Sequence, residues 1–294
     1  SHWRRPPITY HLPPEVMGQY CVMGVAFWNQ EARDTEYTRI REMCRYAPSL
    51  GIYEYYSQGA WPEVHRLFPH LVADTVREFY DAGARYFATQ PSTGFASNAL
   101  NFFVLGRCLW DVQTDPDAVA DDFCRSGFGP AGDMIRSYLD AFVQRWRDTK
   151  SGEEVMSGVT RDEGFARLYT EEFLAERQAE IDCAEETAAD LPDTLQRIQF
   201  LRTGLHHTRL YCDACRASAA VLEAAGTSDL ESIDLSALSA EDCTEVRARA
   251  GTAVAAWDAY WDFVREQMGK YIFGEFWVHY RPGTFGEKDA NLKQ

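Results

Sequence analysis

Lysine is nearly missing from this chain. Only Lys150, Lys270, Lys288 and Lys293 occur, against 25 arginines, and 45 acidic residues bring the net charge to -16. A surface this acidic repels the phosphates of nucleic acids and of anionic lipids, which argues against both as partners. The bias suits a high-salt habitat, and a GC-rich genome produces the same one. Long apolar runs are also missing: none approaches the roughly 20 residues that cross a bilayer, so no membrane partner is expected. The opening "SHWRRPPITYHLPPE" has two arginines but no apolar stretch behind them. It does not read as a secretory leader, and its prolines suggest a chain that starts partway through something larger.

Nucleotide signatures are absent too, both the Gly–Lys phosphate loop and the glycine-rich dinucleotide fingerprint. No cofactor is expected. The eight cysteines do not form a secreted framework: Cys44, Cys108, Cys124, Cys183, Cys212, Cys215 and Cys243 fall in helical patterns and Cys21 on a strand. Secreted scaffolds are small and hold their cysteines in loops. A cytoplasmic setting follows, with an extracytoplasmic one open if a leader-bearing part precedes this segment. In "HHTRLYCDACR" (206–216), Cys212 and Cys215 share a helix face, but structural zinc needs four ligands and a redox pair needs a helix N-terminus. No metal site is expected.

What is present begins with an alternation of strands and helices. "QYCVMGVAFW" (19–28), "GIYEYY" (51–56) and "ARYFATQ" (84–90) read as buried strands. Helical stripes follow at 36–46, at 63–82 and from Ser97 or Asn98, where Phe102, Leu105 and Leu109 share a face. This rhythm implies a parallel sheet with helices outside it. From Asp115–Pro116, an N-cap followed by proline at the first helical position, the chain turns helical. Helices are expected at 131–147, 170–190, 193–224 and 240–270, the last opened by Ser239. Trp110 and Trp146 lie on helical faces and read as core. The expected layout is an N-terminal arm (1–17), an α/β segment (18–149) and an all-α domain (150–294).

In a parallel sheet, working side chains gather at the carboxyl ends of the strands. Those ends offer Trp28 and Asn29, then Glu54, Tyr56 and the loop residue Trp61, then Gln90. Flat rings and amides together suit a sugar, which presents C–H faces and a rim of hydroxyls. Glu54 is the candidate catalytic residue, since an acid inside an apolar strand is costly unless paired or used. Two readings of it stand: a functional carboxylate, or one held by a neighbouring arginine. If side chains alternate in the barrel sense, Ile52, Glu54 and Tyr56 face the barrel interior together. Tyr53, Tyr55 and Tyr56 also suit a structural cluster of residues with high strand propensity.

The series "AFWN", "GIYEYYSQGAWPEVHRLFPHLVADTVREFYDAGARYFATQ" and "LGRCLWDVQTDPDAVADDFCRSGFGPAG" resembles the family catalogued as domain of unknown function 4838, over about residues 18–147. The resemblance implies kinship with glycoside hydrolases of the α-glucuronidase and β-hexosaminidase kind. It implies the C-terminal segment of a TIM-type (β/α)8 barrel, three parallel strands with their helices, followed by a helical domain. Three strands do not close a barrel, so the proline-rich N-terminal arm, a second copy or a partner chain is expected over the open sheet edge. Glycoside hydrolysis uses two carboxylates. The resemblance places an acid where this chain has Gln90, which binds a hydroxyl but exchanges no proton. The expected function is therefore glycoside-hydrolase-like action on a glycan or oligosaccharide. The alternative is a non-catalytic carbohydrate-binding or assembly subunit.

Overall fold

A computed structural model describes residues 11–22, 30–56, 64–89, 94–148, 163–228 and 230–271. The chain divides into two compact units. The first comprises Ser1–Gln58, Arg66–Ser92 and Asn98–Ser157, and the second Gly59–His65, Thr93–Ser97 and Gly158–Gln294.

The first unit holds a three-stranded sheet of β1 (Gly18–Val22), β2 (Leu50–Glu54) and β3 (Tyr86–Thr89). The order is β1-β2-β3 and both pairings are parallel. Tyr20 lies beside Ile52 and Ile52 beside Phe87; Val22 lies beside Glu54 and Glu54 beside Thr89. Side-by-side residues of parallel strands share a face. Helices α1 (Gln30–Tyr46) and α2 (Pro69–Ala82) cover the face of Tyr20, Ile52 and Glu54. Tyr20 donates to Glu36 of α1 at 2.9 Å, and the Tyr56 hydroxyl meets Thr75 of α2 at 2.9 Å. The opposite face presents Cys21, Tyr86 and Ala88 exposed, with Tyr53 and Tyr55 half-buried.

Local chemistry sets the ends of these elements. The stripe read as a helix from 63 starts only at Pro69, and Val64, Leu67 and Phe68 are buried without being helical. The proline ring disfavours helical backbone at the residue before it, and Phe68 accordingly sits at φ -141° and ψ 51°. Gly83 closes α2 at φ 110°, and its N–H returns to the Phe79 and Tyr80 carbonyls. Next come α3 (Phe95–Trp110), α4 (Pro116–Phe128) and α5 (Gly132–Arg147). Asp115 caps α4 by accepting from the Asp117 N–H, with Pro116 at the first helical position. Arg136 of α5 reaches Asp117 and Asp121 of α4 and Asp140 of its own helix, tying α4 to α5.

The α-helices of the second unit after residue 158 are α6 (Glu163–Leu168), α7 (Glu171–Thr187), α8 (Pro192–Ala225) and α9 (Ala240–Gln267). Ser239 caps α9 by accepting from the Asp242 N–H. Its core is aromatic: Phe165, Tyr169, Tyr211, Trp257 and Tyr260 are buried, and the Trp257 indole donates to Ser218 at 2.9 Å. No helix among the described residues is long and apolar enough to cross a membrane.

Candidate functional site

The parallel ladder brings Val22, Glu54 and Thr89 side by side at the carboxyl end of the sheet. Trp28, Asn29, Trp61 and Gln90 lie outside the described residues, so Glu54 and Tyr56 are the candidates whose surroundings can be stated. Glu54 is fully buried, at 0% exposure. Its Oε1 accepts the N–H of Tyr55 at 2.8 Å, and its own carbonyl accepts from the Thr89 hydroxyl at 2.9 Å. The negative charge is felt by two phenols on the same side: burial first, and Glu54 among the lesser causes, hold Tyr37 and Tyr56 well above the ordinary tyrosine range.

Ile52, Glu54 and Tyr56 do share one side of the strand. That side faces α1 and α2, not a barrel interior, and the expectation is corrected there. Alternation tells which residues lie together but is silent on which face the helices cover. Tyr56 is likewise core. Its ring packs 5.9 Å from Phe68 and 6.3 Å from Phe87. Thr75 directs its proton to the Val72 carbonyl, so the Tyr56 hydroxyl donates to Thr75 and is engaged within the fold.

Three buried polar groups escaped the sequence reading. Asn98 and Asn101, one turn apart on α3, hold the extended connection from β2 to α2. Asn98 accepts the Arg66 N–H at 2.9 Å; Asn101 accepts the Phe68 N–H at 2.8 Å and donates to the Arg66 carbonyl at 2.6 Å. A signal existed: two asparagines at i and i+3 in the otherwise apolar run "FASNALNFFVL". Within the second unit, His65 is buried, with its N–H and Nδ1 3.2 and 2.8 Å from the Thr208 hydroxyl. Thr208 donates to Gly204, so His65 carries its ring proton on Nδ1. Its carbonyl accepts from Tyr169 at 2.6 Å. Burial, and secondarily the charge of His207, push His65 down to about 3, so the ring is neutral near pH 7.

The family model described as "Domain of unknown function (DUF4838)" matches residues 1–140. Over those residues the chain is similar to the DUF4838 family. The match takes in the whole sheet, α1 to α4 and part of α5, and with them Glu54, Tyr56, Arg66, Asn98 and Asn101. No curated protein and no solved structure gives a match. The DUF4838 region also contains Trp110, which was expected in the core and is 93% exposed, while Trp146 is buried as expected.

All eight cysteines are free thiols; Cys108, Cys124, Cys212 and Cys215 are buried. Cys212 points its thiol at the Phe165 carbonyl, and burial pushes it up to about 12. Metal ligation and disulfide exchange both need the thiolate, which this site disfavours.

Proposed function

We propose that this chain is a carbohydrate-active, glycoside-hydrolase-like protein that takes a glycan at the carboxyl ends of its strands. In this proposal the three strands are a sector of a (β/α)8 barrel, and Trp28, Asn29, Trp61 and Gln90 supply stacking rings and amides. One observation carries the reading: three parallel, adjacent strands with, among the described residues, helices on one face, and with Tyr53, Tyr55 and Tyr86 on the other. Parallel sheets ordinarily have both faces covered, and a barrel covers the inner one by closing on itself. Further strands over the open edges would complete it.

The burial of Glu54 favours a second version, in which the protein binds a glycan without cleaving it. A proton donor must reach the glycosidic oxygen, whereas this carboxyl lies on the helix-covered side with one oxygen on a backbone N–H. The test is a panel of aryl glycosides together with oligosaccharide binding by calorimetry, on the chain and on Glu54→Gln. Hydrolysis that Glu54→Gln abolishes while binding persists supports the enzyme. Binding without hydrolysis, unchanged in Glu54→Gln, supports the binding protein. Neither binding nor hydrolysis by the unaltered chain would sink both versions.

A further inference from the structure

The face of the sheet turned away from α1 and α2 is layered along its strands. Gly51 lies beside Tyr86 in one layer, and Tyr53 lies between Cys21 and Ala88 in the next. Tyr55 follows at the carboxyl end, where its N–H donates to the Val22 carbonyl at 3.2 Å and carries the ladder one residue past β2. The middle layer sets one large side chain between two small ones. Cys21 and Ala88 are exposed on either side of Tyr53, and Tyr53 and Tyr55 are half-buried. The two phenol rings meet edge to face, with centroids 4.9 Å apart and an interplanar angle of 66°. A side-chain hydrogen bond links Tyr55 to Cys21 of the neighbouring strand. Rings held in this way keep a set angle, so the pair is a preformed surface.

We propose that Tyr55, braced by Tyr53 and Cys21, is a stacking platform for a neutral sugar ring on the face of the sheet opposite Glu54. This rests on the glycan-binding reading and gives that glycan contacts which the two-residue period of β2 keeps apart from the buried carboxylate. Position is the first support. Barrels carry their ligands at the carboxyl ends of the strands, and Tyr55 lies at that end of β2. Tyr86 starts β3, two layers toward the amino end. Strands that close the barrel would therefore pack on the layer of Tyr86 and leave Tyr55 at the mouth. Chemistry is the second support. A phenol offers a flat apolar face with a hydroxyl at its rim, which matches the C–H face and hydroxyl edge of a sugar. Charge is the third. At -16 the chain repels anionic ligands, and Cys21, Tyr53, Tyr55, Tyr86 and Ala88 include no Asp, Glu, Lys or Arg. A neutral polyhydroxyl ligand is not repelled and needs no counter-charge.

Protection of a thiol by bound sugar tests the platform. Cys21 and Cys183 are both exposed, and Cys183 lies on α7 in the second unit, so it serves as the internal control. Labelling by N-ethylmaleimide is followed cysteine by cysteine by mass spectrometry, with and without cellohexaose, xylohexaose or mannohexaose. Calorimetry gives the affinity of the same sugars for the chain, for Tyr55→Ala and for Tyr55→Phe, and far-UV circular dichroism checks that each variant keeps its helices. At a sugar concentration about nine times Kd, labelling of Cys21 should slow about tenfold, in step with the unoccupied fraction, while Cys183 is unchanged. Tyr55→Ala should weaken binding about tenfold or more, and Tyr55→Phe, which keeps the ring, should retain most of the affinity. The labelling needs no variant, so it decides the question even where Tyr55→Ala fails to fold. Unchanged labelling of Cys21 with sugar bound, or a folded Tyr55→Ala of unchanged affinity, would overturn the platform and leave the glycan reading standing. A chain that binds none of the sugars would overturn both.

Discussion

Glu54 is the residue on which the functional reading turns, and its burial makes its stability cost measurable. A carboxylate at 0% exposure accepts the Tyr55 N–H at 2.8 Å. Hydrogen bonds to charged groups contribute about 1.5–3 kcal/mol. Glu54→Gln should therefore lower stability by about 2–3 kcal/mol, read as a shift of the urea midpoint at constant slope. A loss under about 1 kcal/mol, the size of an ordinary substitution, would mean that the acid is kept for chemistry and not for the fold. His65 makes a different forecast. Its folded pKa is lowered to about 3 by burial, against an unfolded value near 6.5. Between those limits the unfolded chain binds the extra proton, so the stability is present above pH 6.5 and is lost as pH falls toward 3. Urea midpoints should fall across that window, by up to about 1.4 kcal/mol per pH unit from this group. His65→Gln should flatten the slope there relative to the unaltered chain; an identical slope would assign the acid sensitivity to other groups.

Among the elements, α3 shows why a good pattern can point the wrong way. Its apolar residues run nearly all round, and the sequence pattern put Phe102, Leu105 and Leu109 on one face. Of those three only Leu105 is buried; Asn98, Leu100, Asn101, Val104 and Cys108 are among the other buried positions, while Leu109 and Trp110 are exposed. Two asparagines face inward because the chain from Arg66 to Phe68 is neither helix nor strand, and its buried N–H and C=O groups need partners. Asn101→Ala would strand the Phe68 N–H and the Arg66 carbonyl and should cost about 2–4 kcal/mol by urea unfolding. A nearly neutral result would mean that water replaces the amide. In the second unit, α8 passes so near the Ala96 backbone that a Cβ at Gly204 would lie 2.8 Å from the Ala96 carbonyl. Both sides of that contact are backbone, which has little room to give. Gly204→Ala should destabilise by about 2 kcal/mol or more, although alanine is the better helix former by about 1 kcal/mol. An unchanged or raised melting temperature would show that the helix can shift.

At the scale of the molecule, the excess of acids over bases governs behaviour in salt. Many carboxylates have partners, as Arg136 and Arg202 show by gathering several acids each. The remaining surplus repels itself, and salt screens such repulsion within about 10 Å at 0.1 M. Raising NaCl from about 0.01 to 0.15 M should increase the melting temperature by about 2–4 °C, equivalent to roughly 1 kcal/mol. A fall would mean that the ion pairs outweigh the net repulsion.

Much was legible in the chain because it is decided locally. Asp115–Pro116 and Ser239 mark helix starts through bonds to neighbours two or three residues away, and the strand–helix alternation implied the parallel order that is observed. The separate faces of Glu54 and Tyr53 followed from the two-residue period of a strand. Three things required the tertiary structure. Helices cover the Glu54 side of the sheet, asparagines occupy the inner face of α3, and Trp146 is buried where Trp110 is bare. Each depends on which groups from distant parts of the chain meet, and a one-dimensional period carries phase without direction: it says which residues lie together, and only packing says what they lie against.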